Sequence, residues 1–323
     1  MSGLPRILEL LTQKILNMKT TTSATGNGFN IYQEVTRRII TMLAQGEIPW
    51  KKRWCAPLND NDTINYATGK PYSFLNKMLL GRPGKYMGYS QIKAKGGRIK
   101  KGAKGNMVVF YKMFIPAADK KKAEEMEKRG ENIDHLKIPL LRYSTVFHMD
   151  DIEGITFEVE QIEHREARRP TDIAEYVKDE YLMSTGVTIN EKPLDEFWYD
   201  EDTDNLFIPS RLQFGTEEQW YNTMFSGLVK STASEDRCNR SSALKANPKR
   251  EDIIREELVC EMGASMIMGG VGLDCDETQR DTASECAYWI EELNKDFRLI
   301  VNASSQAEKA ARYILKPITT TES

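Results

Sequence analysis

Charge is spread very unevenly along this 323-residue chain, and that limits what it can fold into more than any other feature. Between Ile31 and Met113 there are 16 Lys and Arg against 4 Asp and Glu, whereas Asp150 to Phe207 holds 18 acidic and 5 basic residues. The formal net charge of -3 conceals both. Like charges at such density must lie on separate solvated faces, so a chain of this length reads as two domains with different partners. The basic one is a candidate for binding a polyanion. Two faces that neutralise each other across an interface would give the same counts.

Composition narrows the class. With 40% hydrophobic and 29% charged residues the chain is of ordinary globular type. No apolar run reaches the roughly 18 residues that cross a bilayer, and Leu4 to Leu16 is interrupted by Arg6, Glu9, Gln13 and Lys14. Five cysteines, odd in number and without a C-x-x-C spacing, indicate neither a disulfide framework nor a zinc ribbon. A cytoplasmic, reducing compartment with no membrane contact is the expectation.

Residues 1–28 read as a tail, ending in a polar Thr, Ser and Gly stretch. Ile31, Val35, Ile39, Ile40 and Leu43 recur at three-to-four spacing and predict a helix over 31–44. Turns at Thr68–Pro71, Arg82–Gly84 and Lys95–Gly97 then punctuate short segments, with strands expected at Met107–Phe114 and Tyr143–His148 around a charged helical insert at 117–131. His164 to Asp172 is polar, contains Pro170 and reads as a linker. Beyond it two short strands are expected at Phe197–Tyr199 and Leu206–Ile208. Helices are expected from Ile173 and over 217–231, 249–268, 278–293 and 305–315. The fold class is therefore α+β: a small α+β domain at 29–165, a linker at 166–172, a mainly helical domain at 173–316 and a tail at 317–323.

The basic region interleaves cations with aromatic rings, which suits phosphate contact plus base stacking worth ~1 to 3 kcal/mol per base. Trp50, Lys51, Lys52, Arg53 and Trp54 stand together; Lys70, Tyr72, Asn76, Tyr89, Lys93, Lys100, Lys101 and Lys104 continue the theme on or near turns. Filling a small core is the competing use for the aromatics. In the second half, Phe225 to Thr232 followed by Glu256 to Glu261 has the layout of a zinc-peptidase helix pair. Such a pair needs His-Glu-x-x-His, two imidazoles four residues apart and a base between them. Here those slots hold Ser226, Gly227 and Lys230.

The motifs Gly46 to Trp54, Thr68–Gly69–Lys70 with Tyr72 and Asn76, Gly96 to Gly105, Val108 to Tyr111, Phe197 to Tyr199, Asp204 to Pro209, Asn239–Arg240 and Glu256 to Ala264 fall in order, and the chain resembles ArdC-type antirestriction proteins. That resemblance implies a single-stranded-DNA-binding domain of a plasmid, phage or other mobile element, joined to a zincin-like metallopeptidase domain. It also implies that Ser226 and Lys230 replace histidine ligands, that Gly227 replaces the catalytic Glu, and that Glu257 and Glu261 survive as third ligand and its neighbour. The expectations are no enzymatic activity, no cofactor and no zinc, single-stranded DNA as partner, room for a protein partner of the C-terminal domain, and Lys230 paired with Glu257 or Glu261. Two alternatives stay open: the acidic stretch as a DNA mimic or protein-binding antirestriction module, and a peptidase with a nonstandard site.

Overall fold

Asn30 starts the first helix, its Oδ1 accepting from the backbone of Tyr32 at 3.0 Å and Gln33 at 3.3 Å. The computed structural model describes residues 29–52, 63–129, 133, 136–157, 169–273 and 282–320. Arg53, Trp54, Cys55, Cys275, His135 and His164 lie outside them, as do both tails except residues 317–320. So do residues 166–168 of the expected linker, whose remainder is already helical from Pro170. By packing, the described chain falls into two compact units: one takes the segment up to Lys85 and everything from Phe157 onward, the other Tyr86 to Thr156.

In the larger unit, α1 (Ile31–Ala44) buries the periodic face read from the sequence, Val35, Ile39, Ile40 and Leu43, and packs on α8 (Thr282–Lys295). A 3-10 turn, Pro49–Lys51, carries Trp50 inward against α7 (Arg250–Val271). The β1 (Thr63–Asn65) and β2 (Lys70–Pro71) hairpin leads to α2 (Phe74–Leu80), which meets α9 (Leu299–Thr320). After α5 (Pro170–Thr185), three strands pair in the order β8 (Thr188–Lys192), β10 (Asn205–Pro209), β9 (Trp198–Asp200), with β8 and β10 parallel. α6 (Glu217–Ser231) lies on β10 and against α7. The C-terminal half of α7, Met262 to Met268, is buried throughout, so this helix is the core around which the unit is built.

The smaller unit is built on an antiparallel sheet in which β6 (Ile138–His148) lies between β3 (Gly84–Gly88) and β5 (Asn106–Phe114). β3 pairs antiparallel with β6, and β6 with β5 in unbroken register from Asn106↔Val146 to Phe114↔Ile138. α3 (Tyr89–Ala94) follows β3, the short β4 (Arg98–Ile99) pairs with β7 (Ile152–Glu153), and α4 (Lys120–Lys128) falls within the charged insert. The α+β class holds. Among the described residues Cys238, Cys260 and Cys286 are buried and not in disulfides, and no helix is long and apolar enough to cross a membrane.

Candidate functional site

α6 and α7 run close enough to share a wall because Gly263 offers no side chain: a Cβ there would meet Val229 Cγ2 at 2.7 Å. Beside them opens a cavity of about 550 Å³ lined by Ser226, Lys230, Glu257, Cys260, Glu261 and Lys51 among others. Ser226 turns its hydroxyl back to the carbonyl of Asn222 at 2.9 Å. Gly227 points elsewhere, since a Cβ on it would lie 2.7 Å from Leu206 Cδ1 of β10. The direction any side chain at 227 would take is already filled. Lys230 lines the cavity with Glu257 and Glu261 but donates to the carbonyl of Ala243 at 3.2 Å, so the expected ion pair with those carboxylates is corrected. The helix turn at Ser241–Ala243 presents an acceptor nearer than either carboxylate.

Glu261 is engaged on both oxygens. Trp50 Nε1 donates to Oε1 at 2.8 Å and Trp289 Nε1 to Oε2 at 2.9 Å, the indoles meeting edge to face at 6.2 Å. Burial, then the hydrogen bond and charge of Glu285, push the Glu261 carboxyl up to about 8, against the opposing influence of Lys51 and the Trp50 indole. Lys51 in turn pairs with Glu285 at 2.6 Å. Glu257 accepts from Tyr288 Oη at 2.6 Å. Beneath them Arg240 clamps Glu256 through two bonds of 2.8 and 3.0 Å, both side chains buried, and donates to the Val229 carbonyl at 2.8 Å. None of Trp289, Glu285 and Tyr288 was singled out by the sequence motifs.

Of the residues read as DNA contacts, Trp50 is only 1% exposed, so its ring is not open to a base, and Lys51 is committed to Glu285. Donation of the Trp50 indole N–H to a carboxylate 211 residues away holds the ring there. Lys52 pairs with Glu47 at the surface at 2.8 Å; Asn76 is buried, Tyr72 half-buried and near Asn65 at 3.4 Å, and Lys70 exposed. In the smaller unit Tyr89 is 55% exposed with Lys93 Nζ 4.9 Å from its ring centre, and Lys101 and Lys104 are exposed. Lys100, also exposed, donates to the Asp150 carbonyl at 2.7 Å. The two clusters belong to different units.

Sequence comparison matches residues 29–147 to the N-terminal domain of anti-restriction factor ArdC and residues 177–306 to a zincin-like metallopeptidase, in that order. The chain therefore combines an ArdC-type N-terminal domain with a zincin-like domain. The solved ArdC protein of plasmid R388 superposes on it with a TM-score of 0.64 at 26% identity, covering 89% of this chain and 98% of that one. A metal-free form of the same protein gives 0.62. Two DNA primases TraC of Escherichia coli are 27% and 29% identical over 88% of this chain, which spans only 27% and 20% of their lengths. An uncharacterised protein of Sinorhizobium fredii, y4eC, is 24% identical and is matched over 91% of its length.

These relatives correct the cofactor expectation: the R388 protein of the higher TM-score is a Mn(II)-bound structure, so a divalent metal belongs to what this fold can hold. In this chain the cavity offers oxygen rather than imidazole, from Glu257, Glu261 and Ser226, a donor type that suits Mn²⁺ or Mg²⁺ better than Zn²⁺. Among the described residues no three His, Cys, Asp or Glu converge on one point, and Glu261 already serves two indoles. As arranged, these residues do not form a metal site of the zincin kind.

Proposed function

We propose that this chain acts in antirestriction by binding single-stranded DNA through its basic N-terminal region, and that its zincin-like domain does not cut peptides by the His-Glu-x-x-His route. One observation carries the first part: from Tyr86 to Met113 seven Lys and Arg occur with no carboxylate, and Tyr89, Lys93, Lys101 and Lys104 stand exposed on that stretch. Lys100 is exposed on the same stretch, and Lys70 is exposed in the other unit. Absence of histidine from residue 165 onward, with Gly227 packed on Leu206, supports the second part, since positions 226, 227 and 230 of α6 hold neither imidazole ligands nor a carboxylate base. The acidic stretch is a weak DNA mimic in comparison. Glu175 is tied to Lys178 and Arg211, and Asp204 to Arg237, so part of its charge is neutralised internally.

Equilibrium binding of a fluorescent single-stranded oligonucleotide, with the duplex of the same sequence as competitor, tests this. The expected result is binding that the duplex displaces poorly. Equal displacement by duplex, or no binding at low salt, would overturn it.

A further inference from the structure

β3 ends at Gly88 opposite Val146, so Met107–Phe114 and Ile138–Thr145 continue outward as a two-stranded ribbon. Such a ribbon buries little on its own, yet this one is rich in large apolar side chains. Side chains alternate along each strand, and the register places Phe110 beside Arg142, Lys112 beside Leu140 and Phe114 beside Ile138 on one face. All six are exposed, Phe110 at 48% and Phe114 at 40%. Tyr111 and Tyr143 are exposed on the opposite face. The two strands contain no Asp or Glu, and Lys112 and Arg142 form no ion pair among the described residues.

We propose that this ribbon is a base-stacking surface for single-stranded nucleic acid, with Phe110 and Phe114 taking bases and Lys112 and Arg142 taking phosphates. Flat apolar rings alternating with unopposed cations match a polymer that carries flat rings and one negative charge per unit. An apolar peptide would leave the two cations without partners. A duplex would hide the base faces that the rings need. The inference rests on the single-strand reading above and adds to it a contact surface that the motifs do not include.

The test uses the full chain and a fluorescein-labelled oligothymidylate of about 16 nucleotides, the upper end of what one such domain covers. Phe110→Ala with Phe114→Ala is expected to weaken binding by about tenfold or more without changing the salt slope, and Phe110→Tyr with Phe114→Tyr to stay near wild type. Lys112→Ala with Arg142→Ala is expected to lower the slope of log K against log salt by about 1.4, two phosphates' share. Should the alanine pair fail to fold by circular dichroism, the tyrosine and cation pairs still decide. Wild-type binding that neither the alanine pair nor the cation pair weakens overturns the ribbon proposal and leaves the single-strand reading standing. Failure of the wild type to bind overturns both. Loss in these variants of a concentration-dependent dimer seen by sedimentation, with binding unchanged, assigns the ribbon to a second copy of the chain and overturns the proposal.

Discussion

At Gly227 two effects of similar size oppose each other, and the structure decides between them. Helix propensity alone favours Gly→Ala by about 1 kcal/mol. The added Cβ would sit 2.7 Å from Leu206 Cδ1 in a fully buried contact, and overpacking costs about 1 to 3 kcal/mol. Gly227→Ala is therefore expected to lower the urea midpoint, where propensity predicts a rise; pairing it with Leu206→Val should recover most of the loss. Glu261→Ala is a second case, because it leaves the indole N–H groups of Trp50 and Trp289 without their acceptor. A loss of about 3 kcal/mol is expected from denaturant unfolding, with quenched or shifted indole fluorescence as the accompanying sign. The sequence shows that Trp50 and Glu261 are candidates for a site but not that they meet. Neither residue has a local pattern that reports a partner 211 positions away, so Trp50 looks the same as a surface ring.

Among elements, α1 and α6 have the expected bounds, α1 because one apolar stripe faces a core and α6 although Met224 to Val229 are buried without a break. β6 begins at Ile138 rather than Tyr143: Pro139 argues against a strand, yet it lies in the outer ribbon, where the strand has an open edge and no ladder bond is lost. β8, Thr188–Lys192, is too polar to announce itself and is held by parallel pairing with β10. α9 starts at Leu299 rather than Ser305, since the buried run Leu299–Val301 carries no polar punctuation to separate it from the helix. α5 is fixed to α6 and to the turn at Arg211 through Glu175, which accepts from Tyr221 Oη at 2.6 Å and from Arg211 at 2.9 Å and pairs with Lys178. Burial alone would raise this carboxyl; hydrogen bonds from Lys178, Tyr221 and Arg211 outweigh it and hold it at about 2. A depressed carboxyl contributes stability above its ordinary pKa of 4.5, and that contribution disappears as pH falls from there toward 2. Glu175→Gln should flatten the pH dependence of the melting temperature in that window and leave it unchanged near neutrality. The carboxylate is about one-third exposed, so solvent screening keeps the effect modest.

For the whole molecule, sequence motifs and packing divide the chain differently. Motif boundaries put residues 29–165 in one domain, whereas contacts place everything up to Lys85 with the C-terminal helices. The cause is physical: the apolar face of α1, the Trp50 indole and the Phe74 amide, which donates to Glu308 at 3.1 Å, all find their partners on α7, α8 and α9. A motif records which residues recur together and not where a buried face is covered. What the family likeness and the charge count did make legible is the basic stretch from Tyr86 to Met113, whose exposed cations the structure leaves on the surface. We propose that this protein recognises unpaired strands through charge and exposed rings. The direct measurement is the dissociation constant for single-stranded and duplex DNA across a salt series. Tighter binding to the single strand at every salt, with log K falling linearly in log salt, is the predicted result; equal or tighter duplex binding, or affinity that salt does not move, would contradict it.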